Sequence, residues 1–150
     1  YLSNSLMKRF IKNNELEKLE TINNRYATQF LRDVRGYYIS SAPIDQAVQY
    51  LLDNPDLIGI ADAAIRVSKR SDQPIPKLEK IIAQDGRASY MYAYHNLGKQ
   101  RFKVGEPEIA KDPWAATYYV KNILKQRWPA AEPAIKQYDA HWKEYQDAIK

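Results

Sequence analysis

The chain has 150 residues, 45% of them hydrophobic and 27% charged, with Gly 5 and Pro 8, the proportions of a folded domain and not of a disordered or low-complexity polymer. It contains no cysteine, which excludes a disulfide framework, a thiolate nucleophile and a Cys-based zinc site, and which fits a reducing cytoplasm. The net charge of +5 is uneven: 10 Lys/Arg against 9 Asp/Glu give +1 over residues 1–75, and 13 against 9 give +4 over residues 76–150.

No apolar run approaches the roughly 20 residues of a membrane span, and the N-terminus lacks the apolar core of a secretory signal. A membrane partner is therefore not expected. The first residue, Tyr1, points to a chain cut from a longer or processed one.

In chain order, Leu2, Leu6 and Phe10 with Met7 and Ile11 form a short amphipathic set. Leu16, Leu19, Ile22, Tyr26, Phe30 and Val34 then recur at spacings of three and four. They predict a helix capped by Asn14 and left through Gly36. An extended 36–41 segment should follow, with Ser41 and Pro43 starting a helix whose apolar face is Ile44, Ala47, Val48, Leu51 and Leu52.

Asn54 and Pro55 are expected to stop that helix and open another, carrying Leu57, Ile58, Ala61, Ala64, Ile65 and Ser68. Residues 71–76 read as a loop and 77–84 as a short helix. Tyr90, Tyr92 and Tyr94 alternate as a strand would. Their counterpart at 115–124 does not alternate and follows an Asp-Pro helix start, so both segments are read as helices.

The second half repeats itself. Ile82, Ala83 and Asp85 return as Ile109, Ala110 and Asp112, an offset of 27 (109 − 82). Arg101, Phe102, Glu106 and Pro107 return as Arg127, Trp128, Glu132 and Pro133, an offset of 26 (127 − 101), with Gly98 the extra residue of the first copy. A fainter copy precedes them, and Ile135 opens a partial one. Periods of this length mark supersecondary units that bury their apolar faces only by stacking. In each unit an Asp caps a helix, the basic-aromatic corner ends it, and a second, shorter helix at the Glu-Pro pair returns the chain.

Asp112, Pro113, Ala116, Tyr119, Lys125, Arg127, Trp128, Pro129, Glu132, Pro133 and Ile135 follow the pattern D-P-x-x-A-Y-x-Y-A-x-x-V-x-K-G-R-W/F-P-x-x-E-P-x-I-A. The preceding unit matches it at Asp85, Lys99, Arg101, Phe102, Glu106, Pro107, Ile109 and Ala110. Over residues 80–136 the chain thus resembles a tandem repeat of proteins from bacteriophages and some bacteria. It departs from the pattern at Val104, Val120 and Gln126. The resemblance implies helical repeats and a phage origin, and it transfers no catalytic residue.

The expected architecture is a single all-α domain over 1–150: N-terminal helices in 1–40, then helical-hairpin repeats over 52–150 stacked into a short array with a C-terminal capping helix. His95 and His141 are too far apart for the paired spacing of a helical metal site. Asp85 and Asp112 read better as helix caps than as an acid–base pair, and Glu106 and Glu132 either as charges satisfying the start of the short helix or as partners of Arg101 and Arg127. There is no phosphate loop and no G-x-S-x-G. Neither an enzyme nor a cofactor is expected.

The candidate surface combines Lys99, Arg101, Lys103, Lys121, Lys125 and Arg127 with Tyr90, Tyr92, Tyr94, Tyr118 and Tyr119. Trp114, Trp128 and Trp142, 14 residues apart (128 − 114), are expected at seams between helices. The first expectation for this surface is a protein partner, a host protein in the host cytoplasm if the chain is phage-encoded. The other is nucleic acid, met by a basic, Tyr-rich ridge in 85–130.

Overall fold

The computed structural model describes residues 25–150, leaving aside the side chains of 25–31 and 38. The expected helices over 2–24, Asn14 among them, lie outside the described residues. Among the described residues all regular structure is helical. None of these helices is long and apolar enough to cross a membrane.

Helix α1 is Arg25–Ser40, α2 Ile44–Asp53, α3 Ile60–Ser68, α4 Pro76–Ile82 and α5 Gly86–His95. Helix α6 is Glu106–Ile109 and α7 is Pro113–Tyr119, prolonged by one π turn, Val120–Leu124. Helix α8 is Glu132–Ile135 and α9 is Asp139–Ala148. Helices α1, α3, α5, α7 and α9 touch in chain order, each packing on the next. The shorter α4, α6 and α8 fill the joints, each against the longer helix before it and the one after it.

One apolar cluster runs from Ile39 through Leu51, Val67, Leu78, Ile82 and Ile109 to Tyr119, and a second gathers Ala116, Val120, Ala131, Ile135 and Tyr145. Leu124 and Trp128 pack against both and so join them. Each fully buried Leu or Ile contributes on the order of 2 kcal/mol through area removed from water, which outweighs the weak propensity of these short helices to form alone.

Three expectations for the first half need correction. Gly36 does not end α1, and residues 36–40 are helical. Val34 and Ile39 are buried, so packing holds the helix through the glycine. Its end is capped from afar: the Arg70 guanidinium donates to the carbonyls of Ile39 and Ala42. Pro55 opens no helix, because the chain turns over 54–59 and α3 begins only after Gly59, whose φ of +73° is left-handed. Ile58 lies on that turn, 99% exposed, and belongs to no apolar face.

The second half follows its local signals more closely. Residues 71–75 form the loop before α4, and the alternating tyrosines at 90–94 are helical. Asp85 Oδ1 accepts from the Ala88 amide and Asp112 Oδ1 from the Ala115 amide, both at 2.8 Å, and Pro113 occupies the first turn. Asp112→Ala should therefore cost about 1 kcal/mol, read as a lower urea midpoint with unchanged slope.

The extra residue of the first copy is absorbed at one corner. Lys99 N–H donates to the Ala93 carbonyl at 3.0 Å, and Lys125 N–H to the equivalent Val120 carbonyl at 2.7 Å. The first loop has one residue more, and Gly98 accommodates it with a φ of +60°. Lys99 and Lys125 are both left-handed, at +64° and +52°.

Candidate functional site

The basic corners are built into repeated clasps. At the first, Arg101 Nε and Nη2 donate to the two carboxylate oxygens of Glu106 at 2.8 and 2.9 Å. The Tyr119 hydroxyl donates to Glu106 Oε1 at 2.8 Å and accepts from the Phe102 amide at 2.9 Å. At the second, Arg127 donates to Glu132 at 2.7 and 3.2 Å, and the Tyr145 hydroxyl joins Glu132 to the Trp128 amide, both at 2.9 Å. A reduced version precedes them: Tyr92 donates to Glu79 Oε1 at 2.8 Å, and Pro74 stands where the arginine would be.

The electrostatics follow from this geometry. Burial opposes ionisation of Glu106, but the donors Arg101 and Tyr119 overcome it and hold the carboxyl below its usual range. Hydrogen bonds from Arg127 and then Tyr145 lower the Glu132 carboxyl to about 2. Burial, then the bond to Glu106, pushes the Tyr119 phenol up. These tyrosines are neutral donors, and the carboxylates they serve stay charged.

Pairing of Arg101 with Glu106 and of Arg127 with Glu132 was one of the two expectations for these glutamates, and Tyr119 and Tyr145 were not expected as the closing members. A signal was present: a Tyr 13 residues after a Glu at 79/92, 106/119 and 132/145. Tyr92 and Tyr119 are 1% and 0% exposed, so neither lies on a binding surface. Tyr90, 6% exposed, is also removed from it.

Tyr90 instead supports the surface. It packs edge-on against Trp114 at 5.5 Å between ring centroids, and lies 5.9 Å from Tyr94 and 6.4 Å from Tyr118. Trp114 and Tyr118 are 5.1 Å apart, and the Asn122 amide holds the Tyr90 hydroxyl at 2.9 Å. Tyr94, Trp114 and Tyr118 are therefore half-buried and braced from beneath, a strip of ring faces shared by α5 and α7. Met91, 36% exposed, precedes Tyr94 by one turn.

Cations frame this strip. Lys99 Nζ lies 4.8 Å from the Tyr94 ring centre, Lys121 Nζ 5.7 Å from that of Tyr118, and the Arg87 guanidinium 5.5 Å from that of Trp114. Most are also neutralised: Arg87 pairs with Asp112 at 2.9 Å and Lys121 with Glu144 at 2.8 Å. The Glu144 carboxylate raises the Lys121 ammonium above its ordinary value. Of the six basic residues expected to form a ridge, Arg101, Arg127 and Lys121 are held in ion pairs. Lys99, Lys103 and Lys125 are exposed and in no ion pair with a described residue.

Trp128 packs on Tyr119 at 5.4 Å and Trp142 stacks on Tyr145 at 5.3 Å, so these indoles cover the clasp tyrosines. His95 and His141 each lie edge-on against the adjoining Tyr94 and Tyr138. Among the described residues no three His, Cys, Asp or Glu side chains are grouped to hold a metal ion. The strip can offer ring faces, thioether and phenol groups to a surface laid against it. No protein-family model, no curated protein and no solved structure matches this chain.

Proposed function

We propose that the chain is a non-enzymatic helical-repeat module that binds another protein through Tyr94, Trp114 and Tyr118. The braced, half-buried aromatic strip carries this reading. Rings already fixed by Tyr90 lose little freedom on binding, and aromatic anchors supply most of the energy of protein interfaces. In this reading the units stack through their clasps and seams, and the strip runs across the stack. The resemblance to bacteriophage repeats points to a host protein as the partner, met in the host cytoplasm.

The paired state of Arg101, Arg127 and Lys121 weighs against a general phosphate-binding ridge, which needs free cations to displace counterions. Lys99 and Lys125, at equivalent left-handed corners, keep nucleic acid as the second reading.

The native chain, immobilised and exposed to bacterial lysate, should retain one stoichiometric partner. The double variant Tyr94→Ala/Tyr118→Ala should lose it by roughly 30-fold or more while keeping its helical circular dichroism. Retention by the double variant, or no partner for the native chain, rejects the protein-binding reading. A fluorescent single-stranded oligonucleotide tests the alternative: contacts from Lys99, Lys103 and Lys125 give a log–log salt slope of about −2, and no binding at low salt eliminates it.

A further inference from the structure

A second surface lies on the other half of the described chain. A trough of about 420 Å³ opens between the end of α2 and the outer face of α4, over the start of α3. Its floor is Leu51 and Ile81, 0% and 8% exposed, and its walls are the half-buried Leu52 and Ile60. Lys77 and Lys80, one turn apart on α4, stand at its edge. Both are exposed, and neither forms an ion pair with a described residue.

This differs from the clasp region, where arginines sit against carboxylates. Here an apolar depression and two unmatched ammonium groups adjoin. A neutral apolar ligand would use the depression and leave the charge unanswered, and a compact anion would use the charge and leave the depression wet. A molecule with an alkyl chain and a terminal carboxylate satisfies both. The volume falls in the roughly 300–1,000 Å³ range of small-molecule sites, enough for a chain of roughly eight to ten carbons.

We infer that this trough binds a free medium-chain alkyl carboxylate, the chain lying on Leu51, Leu52, Ile60 and Ile81 and the carboxylate between Lys77 and Lys80. The site is separate from the aromatic strip and does not depend on the protein-binding reading.

Octanoate titrated into the 15N-labelled full chain is the test, with octan-1-ol as its uncharged counterpart. Saturable amide shifts are expected at Leu51, Leu52, Ile60 and Ile81, with octanoate binding tighter than octan-1-ol. Lys77→Glu/Lys80→Glu, two exposed substitutions, should weaken octanoate at least tenfold and octan-1-ol less than twofold. A second variant, Leu52→Trp, fills the trough and should weaken both ligands. Unsaturable or scattered shifts, or equal octanoate affinity in the charge-reversed variant, overturn the inference. A trough that ignores octanoate but binds an acidic, leucine-bearing peptide overturns it as well, in favour of a peptide site.

Discussion

Tyr119→Phe is expected to lower the unfolding free energy by about 2–4 kcal/mol, far more than the loss of one surface hydroxyl. The removed oxygen serves two groups at once: it donates to Glu106 and accepts from the Phe102 amide, in a side chain that is 0% exposed. Phenylalanine fills the same space but leaves a buried N–H without a partner and a carboxylate without one of its donors. Urea unfolding followed by circular dichroism gives the number. Tyr92→Phe is the internal comparison. The Tyr92 hydroxyl bonds Glu79 and takes no amide of the described residues as a second partner, so its loss should cost about half as much. Equal costs for the two variants would show that the bond from the Phe102 amide adds nothing to the clasp.

Glu132→Gln should lower the melting temperature at neutral pH by roughly 5–10 °C and should also change the acid response. In the native chain the Glu132 carboxyl is lowered from 4.5 to about 2 by Arg127 and Tyr145. A depressed carboxylate contributes stability that is complete above its unfolded value, near 4.5, and is lost as pH falls through its folded value, near 2. Native stability should thus decline across that window, and the part due to Glu132 should be absent from the variant. Glu106 is depressed too, so the informative quantity is the difference between the two acid profiles. Parallel profiles from pH 5 to pH 2 would mean that Glu132 is not held ionised by its donors.

The helical class and the caps were legible because they rest on neighbours in sequence. Asp85 and Asp112 reach amides three residues on, and Pro113 fixes the first turn. The exit from α1 was not legible, since Arg70 caps it from 31 residues away and local rules favour a stop at Gly36. Pro55 misled for a related reason: a helix-start signal was present, but the left-handed Gly59 delays the helix to Ile60. At the surface, charge composition predicted a basic ridge. Tertiary pairing with Glu106, Glu132 and Glu144 takes up half of its members. Tyr94, Tyr118 and Tyr92 were all expected on an exposed surface; the first two are half-buried and Tyr92 is buried, because three alternating tyrosines on a helix cannot share one face.

The clasps also give the molecule a direction. Arginine and glutamate lie on the corner that closes one segment, and the hydroxyl that completes them arrives 13 residues later, on the helix that follows. Each link is therefore left open by its own segment and locked by its successor, as in a chain of hooks and eyes. Removing α9 would deprive Glu132 and the Trp128 amide of the Tyr145 hydroxyl and uncover Val120 and Ile135, whereas duplicating a 26-residue stretch (132 − 106) would add one hook together with its eye.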